Sequence, residues 1–104
     1  MNMHLYAFQI PGEKLKRLIV SEEGTLVYDG DVVVFIPSPM GKIIMFKPTV
    51  YGDKAKVVFT SRDFDKIKSL SDNEEYIMWI VGDRINVHRA NNYEFVTQIY
   101  GHTF

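Results

Sequence analysis

Thr25-Leu26-Val27-Tyr28-Asp29-Gly30-Asp31-Val32-Val33-Val34-Phe35-Ile36 is the stretch that decides the fold of this chain. Two runs rich in β-branched and aromatic residues flank Asp29-Gly30, a pair that favours a two-residue type I′ turn because both central positions need positive φ. The stretch therefore reads as an antiparallel hairpin. Its second arm carries a further message: Val32 to Ile36 is apolar at every consecutive position, so both faces of that strand need cover, whereas a strand with one wet face alternates.

Outward from this hairpin the same signals recur. His4 to Ile10 is a strand-like run ended by Pro11-Gly12. Tyr76 to Val81 and Arg84 to Arg89 flank Gly82-Asp83, a Gly-first pair suited to type II′ or I′ geometry, and predict a second hairpin. Lys42 to Lys47 and Ala55 to Thr60 read as strands separated by a loop over Pro48 to Lys54, and Tyr93 to Tyr100 closes the chain. Helix enters at two places. Thr60 or Ser61 caps a short helix over Arg62 to Leu70, with Phe64, Ile67 and Leu70 at i, i+3, i+6 and Asp63 and Asp65 favouring the N-terminal dipole. Glu13 to Val20 reads equally as helix or strand. The predicted class is α+β: mainly antiparallel β, as a meander, small barrel or curved sheet of about six to eight short strands, with one short helix near residues 62–70.

Size and composition agree with one core. Surface scaling for 104 residues gives an extended area of about 17,500 Å² and a folded area of about 6,000 Å². Residues 1–104 read as a single domain, with no repeat, linker or low-complexity tract. Twelve Lys+Arg against thirteen Asp+Glu leave a net charge of −1, which gives no bulk attraction to nucleic acid or membrane. No apolar run approaches the ~20 residues of a membrane helix, and the N-terminus lacks a basic, then apolar, leader pattern. The absence of Cys removes disulfides, thiolate nucleophiles and Cys-ligated metals and points to the cytoplasm. No cofactor and no metal are expected, since three scattered His lack ligand spacing.

Catalytic signatures are missing: there is no G-x-S-x-G, P-loop, H-E-x-x-H or G-x-G-x-x-G. The candidate catalytic row is Arg84, Asn86 and His88, which share one strand face if Ile85 and Val87 point inward; Arg would bind a phosphate and His transfer a proton, as in a small hydrolase or nuclease. The alternative binding reading uses Lys42, Lys47, Tyr51, Lys54, Lys56 and Arg62, a locally basic segment with interleaved aromatics that suits single-stranded nucleic acid or RNA. A third feature is Pro37-Ser38-Pro39-Met40-Gly41, a stiff loop with an adaptable apolar tip, whose Pro37, Pro39 and Met40 form a candidate protein contact. The acidic Asp72-Asn73-Glu74-Glu75 reads as a solvated turn.

The runs Val32 to Ile36, Ile43 to Phe46 and Ile77 to Val81 are apolar on both faces, more than a lone small body covers. The favoured expectation is a non-enzymatic interaction protein that binds and modulates, or inhibits, a macromolecular partner, another protein or a second copy of itself. Short, Cys-free, Lys- and Ile-leaning chains of this kind are common among phage-encoded regulators and anti-defence proteins.

Overall fold

The structure, a computed structural model, describes residues 5–39, 41–51 and 55–104. Nine antiparallel strands and two short helices follow one another as β1 (Leu5–Pro11), α1 (Gly12–Leu18), β2 (Gly24–Tyr28), β3 (Val33–Pro37), β4 (Ile44–Phe46), β5 (Thr49–Tyr51), β6 (Val57–Ser61), a 3₁₀ helix (Phe64–Ser69), β7 (Glu75–Val81), β8 (Arg84–Arg89) and β9 (Phe95–Thr103). The strands form one sheet in the order β4-β3-β2-β6-β9-β8-β7-β1-β5. The long β9 makes the corner. Its first part pairs with β8, from Phe95 opposite His88 to Tyr100 opposite Arg84, and Gly101 to Thr103 pair with β6. Half A (β5-β1-β7-β8-β9) and half B (β9-β6-β2-β3-β4) thus fold over a shared core.

The core follows the two-residue strand period. Phe8, Ile10, Tyr76, Met78, Ile80, Ile85, Val87 and Ile99 point inward from half A, and Leu26, Tyr28, Val33, Phe35, Val57 and Phe59 from half B. Phe8 and Tyr28 meet across the fold with ring centroids 6.0 Å apart. The 3₁₀ helix buries Phe64 and Ile67, and Leu70 is buried just after it, with Phe64 edge-on to both Phe35 and Phe59. The accessible surface, 6250 Å², matches the scaling expectation.

β4 and β5 lie at opposite ends of the strand order although only Lys47 and Pro48 separate them in sequence. No ladder joins them, so the sheet is strongly curved but not closed, and the barrel alternative falls away. Helix α1 lies against β4 and β1 beside this seam, burying Leu15 and Leu18. Of residues 13–20, the first six therefore resolve as helix rather than strand, and Ile19 leaves it in an extended conformation.

Several local expectations change. Tyr28 pairs with Val33, which makes the first hairpin loop four residues, Asp29 to Val32, rather than two. Asp29 Oδ1 accepts the N–H groups of Asp31 and Val32, both at 2.9 Å, and only Gly30 has positive φ; the carboxylate's local bonds outcompete the tight I′ turn. At the second hairpin Val81 pairs with Arg84 and Gly82 alone has positive φ, the requirement of type II′. The expected loop over Pro48 to Lys54 contains β5, an edge strand too short to show periodicity. The 62–70 helix is 3₁₀, and its i, i+3, i+6 apolar spacing is the three-residue period of that helix.

Candidate functional site

Because successive strand side chains alternate, the same ladders that build the core also align two outward faces. On half A, register places Tyr51, Ala7, Trp79, Asn86 and Gln98 in one cross-strand row and Thr49, Gln9, Ile77, His88 and Phe95 in the next. Val81, Arg84 and Tyr100 form a third row. The charges on these strand positions sit at the margins, Glu75 at one side and Arg84 at the other. Rings dominate the centre. Trp79 and His88 meet edge-on at 6.3 Å and His88 and Phe95 at 5.6 Å, while the Arg84 guanidinium lies over the Tyr100 ring at 5.5 Å. Phe95 is 54% exposed and Tyr100 49% exposed. Beneath them Ala7 and Ile77, although outward, are buried.

The polar groups of this face are held in place. Gln98 Nε2 donates to Asn86 Oδ1 at 2.6 Å, and the Tyr51 hydroxyl donates to Gln9 Oε1 at 2.6 Å. His88 Nδ1 lies 2.9 Å from the Tyr93 carbonyl; a carbonyl only accepts, so Nδ1 is the donor in this bond. Arg84, Asn86 and His88 do share one face, as their alternation predicts. Each is engaged separately, with Tyr100, Gln98 and Tyr93, and neither of two open surface clefts includes them. One of those, about 580 Å³ at the β6–β9 joint, is lined by Ser61, Arg62, Asp63, Tyr100 and His102 among others; the second, about 230 Å³, lies between α1 and β4.

The outward face of half B has a different chemistry. Met45, Val34, Val27 and Val58 align across β4, β3, β2 and β6, and Ile36, Thr25, Thr60 and His102 align in the neighbouring row. Phe104, whose N–H donates to the Val58 carbonyl, extends the first row. No side chain at these outward positions is a carboxylate, ammonium or guanidinium. Thr25 Oγ1 and Thr60 Oγ1 hydrogen-bond to each other at 3.1 Å. Met45 is 69% exposed and Phe104 80% exposed.

The apolar surplus of the sequence thus divides in three. Val33, Phe35, Met78 and Ile80 are enclosed by their own chain; Val34, Ile36 and Met45 face outward on half B; Trp79 and Val81 face outward on half A. The basic segment does not gather on one surface. Lys42 and Arg62 lie at one end of the half-B strands, and Lys47 and Lys56 at the other. Lys47 pairs with Asp31 at 3.4 Å and Arg62 with Glu23 at 3.5 Å, Tyr51 belongs to half A, and Lys54 lies outside the described residues. In the proline loop Pro37 is buried at the end of β3, Pro39 is exposed, and Met40 lies outside the described residues. The acidic turn serves its own fold: Asp72 pairs with Lys16 at 2.7 Å, and both Glu74 oxygens accept from Arg89 Nη1.

Two titrating groups at the first hairpin are displaced from their ordinary values. Burial, then the nearby Asp29 and Asp31, push the Tyr28 hydroxyl up. The Asp29 carboxyl is held down by the N–H groups of Val32 and Asp31, with help from Lys56. Among the described residues no group of three or more His, Asp or Glu side chains could hold a metal ion, and no helix is long and apolar enough to cross a membrane. The aromatic gathering on half A is what sequence reading missed, because Tyr51 and Phe95 reach it only through pairings of β5 with β1 and of β9 with β8. Compared with protein-family models, curated proteins and solved structures, the chain matches none of them.

Proposed function

We propose that this chain is a small cytoplasmic interaction protein without chemistry of its own, which binds a protein partner through the outward face of half A and modulates it by occupying its surface. One observation carries the reading: five rings, Tyr51, Trp79, His88, Phe95 and Tyr100, collect on a single sheet face whose central rows are uncharged and whose margin offers an arginine. Protein-binding centres are enriched in aromatics and Arg and depleted in Lys, Asp and Glu, and Trp, Tyr and Arg supply most hot spots. The mutual hydrogen bonds of Asn86 with Gln98 and Tyr51 with Gln9 mean that covering this face leaves few polar groups stranded. A nucleic-acid role would need cations along the rings, because phosphate contacts dominate such affinity. Lys42, Lys47, Lys56 and Arg62 are on the other half.

The test is capture on the immobilised chain from extract of the cells that make it, followed by calorimetry on the purified pair. Phe95→Ala and Tyr100→Ala are expected to weaken binding about tenfold or more each. Binding unchanged by both substitutions, or a purified chain that binds no captured protein, would overturn the reading. Single-stranded RNA that bound instead, with a loss in the same two variants, would transfer the face to nucleic acid.

A further inference from the structure

We infer that the cleft between α1 and the free edge of β4 takes an extended acidic segment of another protein, which adds to the sheet as a further strand and seats one apolar side chain in the cleft. This site is separate from the half-A face and does not rest on its proposed use. It follows first from the strand order. β4 ends that order, so Ile44, Met45 and Phe46 pair with β3 along one edge only. The other edge makes no backbone hydrogen bond to another element among the described residues, and such an edge is a template for one more strand. Side-chain alternation decides what that strand meets. Ile44 and Phe46 point inward and pack on the core, whereas Met45 points outward. Inward side chains of an added strand continue the row of Ile44 and Phe46 toward α1. There the structure leaves a cleft of about 230 Å³, lined by Lys14, Arg17, Leu18, Ile44, Met45 and Phe46. That volume is smaller than the roughly 300 Å³ at which small-molecule pockets begin, and it suits a single apolar side chain set on Leu18 and Phe46.

Charge identifies the occupant. Both ionic side chains in the lining are cations, and none of the lining residues is acidic. Lys14 Nζ lies over the Phe46 ring, 4.8 Å from its centroid, and has no carboxylate partner among the described residues. Lys42, at the entry to β4, has none either. Arg17 gives one nitrogen, Nη2, to Glu13 a turn earlier on its own helix, at 2.8 Å. Both members of that pair are exposed, so it is worth little and leaves the rest of the guanidinium open. Carboxylates on an incoming strand therefore meet cations that the fold has not neutralised. A second copy paired at this edge would set Lys14, Arg17 and Lys42 against their own equivalents, and a nucleic acid lacks the main-chain donors and acceptors of a strand. Lysines beside a sheet edge ordinarily keep other strands off. The same charges turn basic segments away and admit acidic ones.

The probe is the capped peptide Thr-Glu-Thr-Leu-Thr-Glu-Thr, which puts Glu, Leu and Glu on one face of a strand. It is titrated at low salt into the isotope-labelled full chain, and the amide NMR shifts are followed. Saturable binding with a Kd below about 1 mM is expected, weakened by added salt, with the shifts concentrated on α1 and β4. Lys14→Glu and Arg17→Glu alter exposed side chains, and each is expected to weaken binding about tenfold. Replacing both peptide Glu residues by Lys is expected to abolish binding, and replacing its Leu by Ser to weaken it about tenfold. Of two peptides N-methylated at alternate residues, the one whose methyl groups lie on the paired edge is expected to lose binding and the other to keep it, which marks main-chain pairing. Phe95→Ala is expected to leave the titration unchanged, so the half-A reading stands or falls by its own test. No binding up to about 1 mM, equal binding of the Lys peptide, shifts centred on Trp79 and Phe95, or equal effects of the two methylation patterns would overturn the inference.

Discussion

Ser61 of β6 lies directly opposite Gly101 of β9, and its buried hydroxyl donates to the Tyr100 carbonyl at 2.5 Å. Here the two halves of the sheet are joined. The same Ser61 oxygen accepts the Asp63 N–H at 2.9 Å, and the Gly101 N–H donates to the Asp83 carbonyl at 2.9 Å. A side chain at residue 101 has no room: a Cβ there would strike the Thr60 carbonyl and come within 2.7 Å of the Phe59 ring. Gly101→Ala should destabilise the fold by at least about 2 kcal/mol and Ser61→Ala by about 1 to 2 kcal/mol, measured by urea unfolding. An alanine at 101 that melts like the parent would show that the halves are not locked at this point.

Tyr28 poses the opposite case. Its ring belongs to the core, yet its hydroxyl is buried without a partner among the described residues. A hydroxyl taken from water without a replacement bond is a cost, and its removal restores that cost while keeping the ring contact with Phe8. Tyr28→Phe is expected to raise stability by up to about 1 kcal/mol in the same urea measurement. A loss of stability would reveal that the hydroxyl has found a bonding partner, such as an internal water.

Asp29 links the first hairpin to pH. Its carboxylate accepts two turn N–H groups, which hold its pKa below the ordinary 3.8. A carboxyl lowered on folding favours the folded state fully above its unfolded pKa and loses that contribution as pH falls through the folded value. Asn imitates the protonated form, since it accepts but carries no charge. The melting temperature of wild type should therefore exceed that of Asp29→Asn at neutral pH, and the two curves should converge below 3.8. A gap that persists unchanged into strong acid would assign the difference to shape rather than charge.

How far the sequence can be read differs between the core and the faces. Hairpin arms were legible because Val33, Phe35, Met78 and Ile80 lie in runs of β-branched, aromatic and apolar residues bounded by turn pairs, and Ile85 and Val87 alternate with polar neighbours. The i, i+3, i+6 spacing of Phe64, Ile67 and Leu70 marked a helical segment and already carried the three-residue period of a 3₁₀ helix, while the packing of Phe64 against Phe35 and Phe59 was not legible. β5 escaped because three residues have no period. The two-sided apolar runs announced that something lay outside the core, but not where: the face that gathers Tyr51 with Trp79 and Phe95 is created by pairings across forty or more residues of chain for β5 with β1 and by the β9 corner. The spatial spread of the basic segment was hidden for the same reason. Lys42 and Lys47 are close in sequence and lie at opposite ends of β4.

The centre of the half-A face offers the sharpest functional discrimination. Asn86 sits in its uncharged row beside Trp79, fixed by Gln98 Nε2 at 2.6 Å. Asn86→Asp keeps the shape and the oxygen that accepts from Gln98, so the fold should melt within about 0.5 kcal/mol of wild type. The new carboxylate would nevertheless be desolvated whenever a partner covers the face, and an uncompensated buried charge costs several kcal/mol. Calorimetry with the captured partner should show at least about a 100-fold loss, whereas a phosphate-ester cleavage centred on His88 would be marked by a loss of turnover with His88→Ala and little change in partner binding. Retention of full partner affinity in Asn86→Asp would remove this face from the interface, because no protein surface seated on Trp79, Phe95 and Tyr100 could leave residue 86 in bulk water.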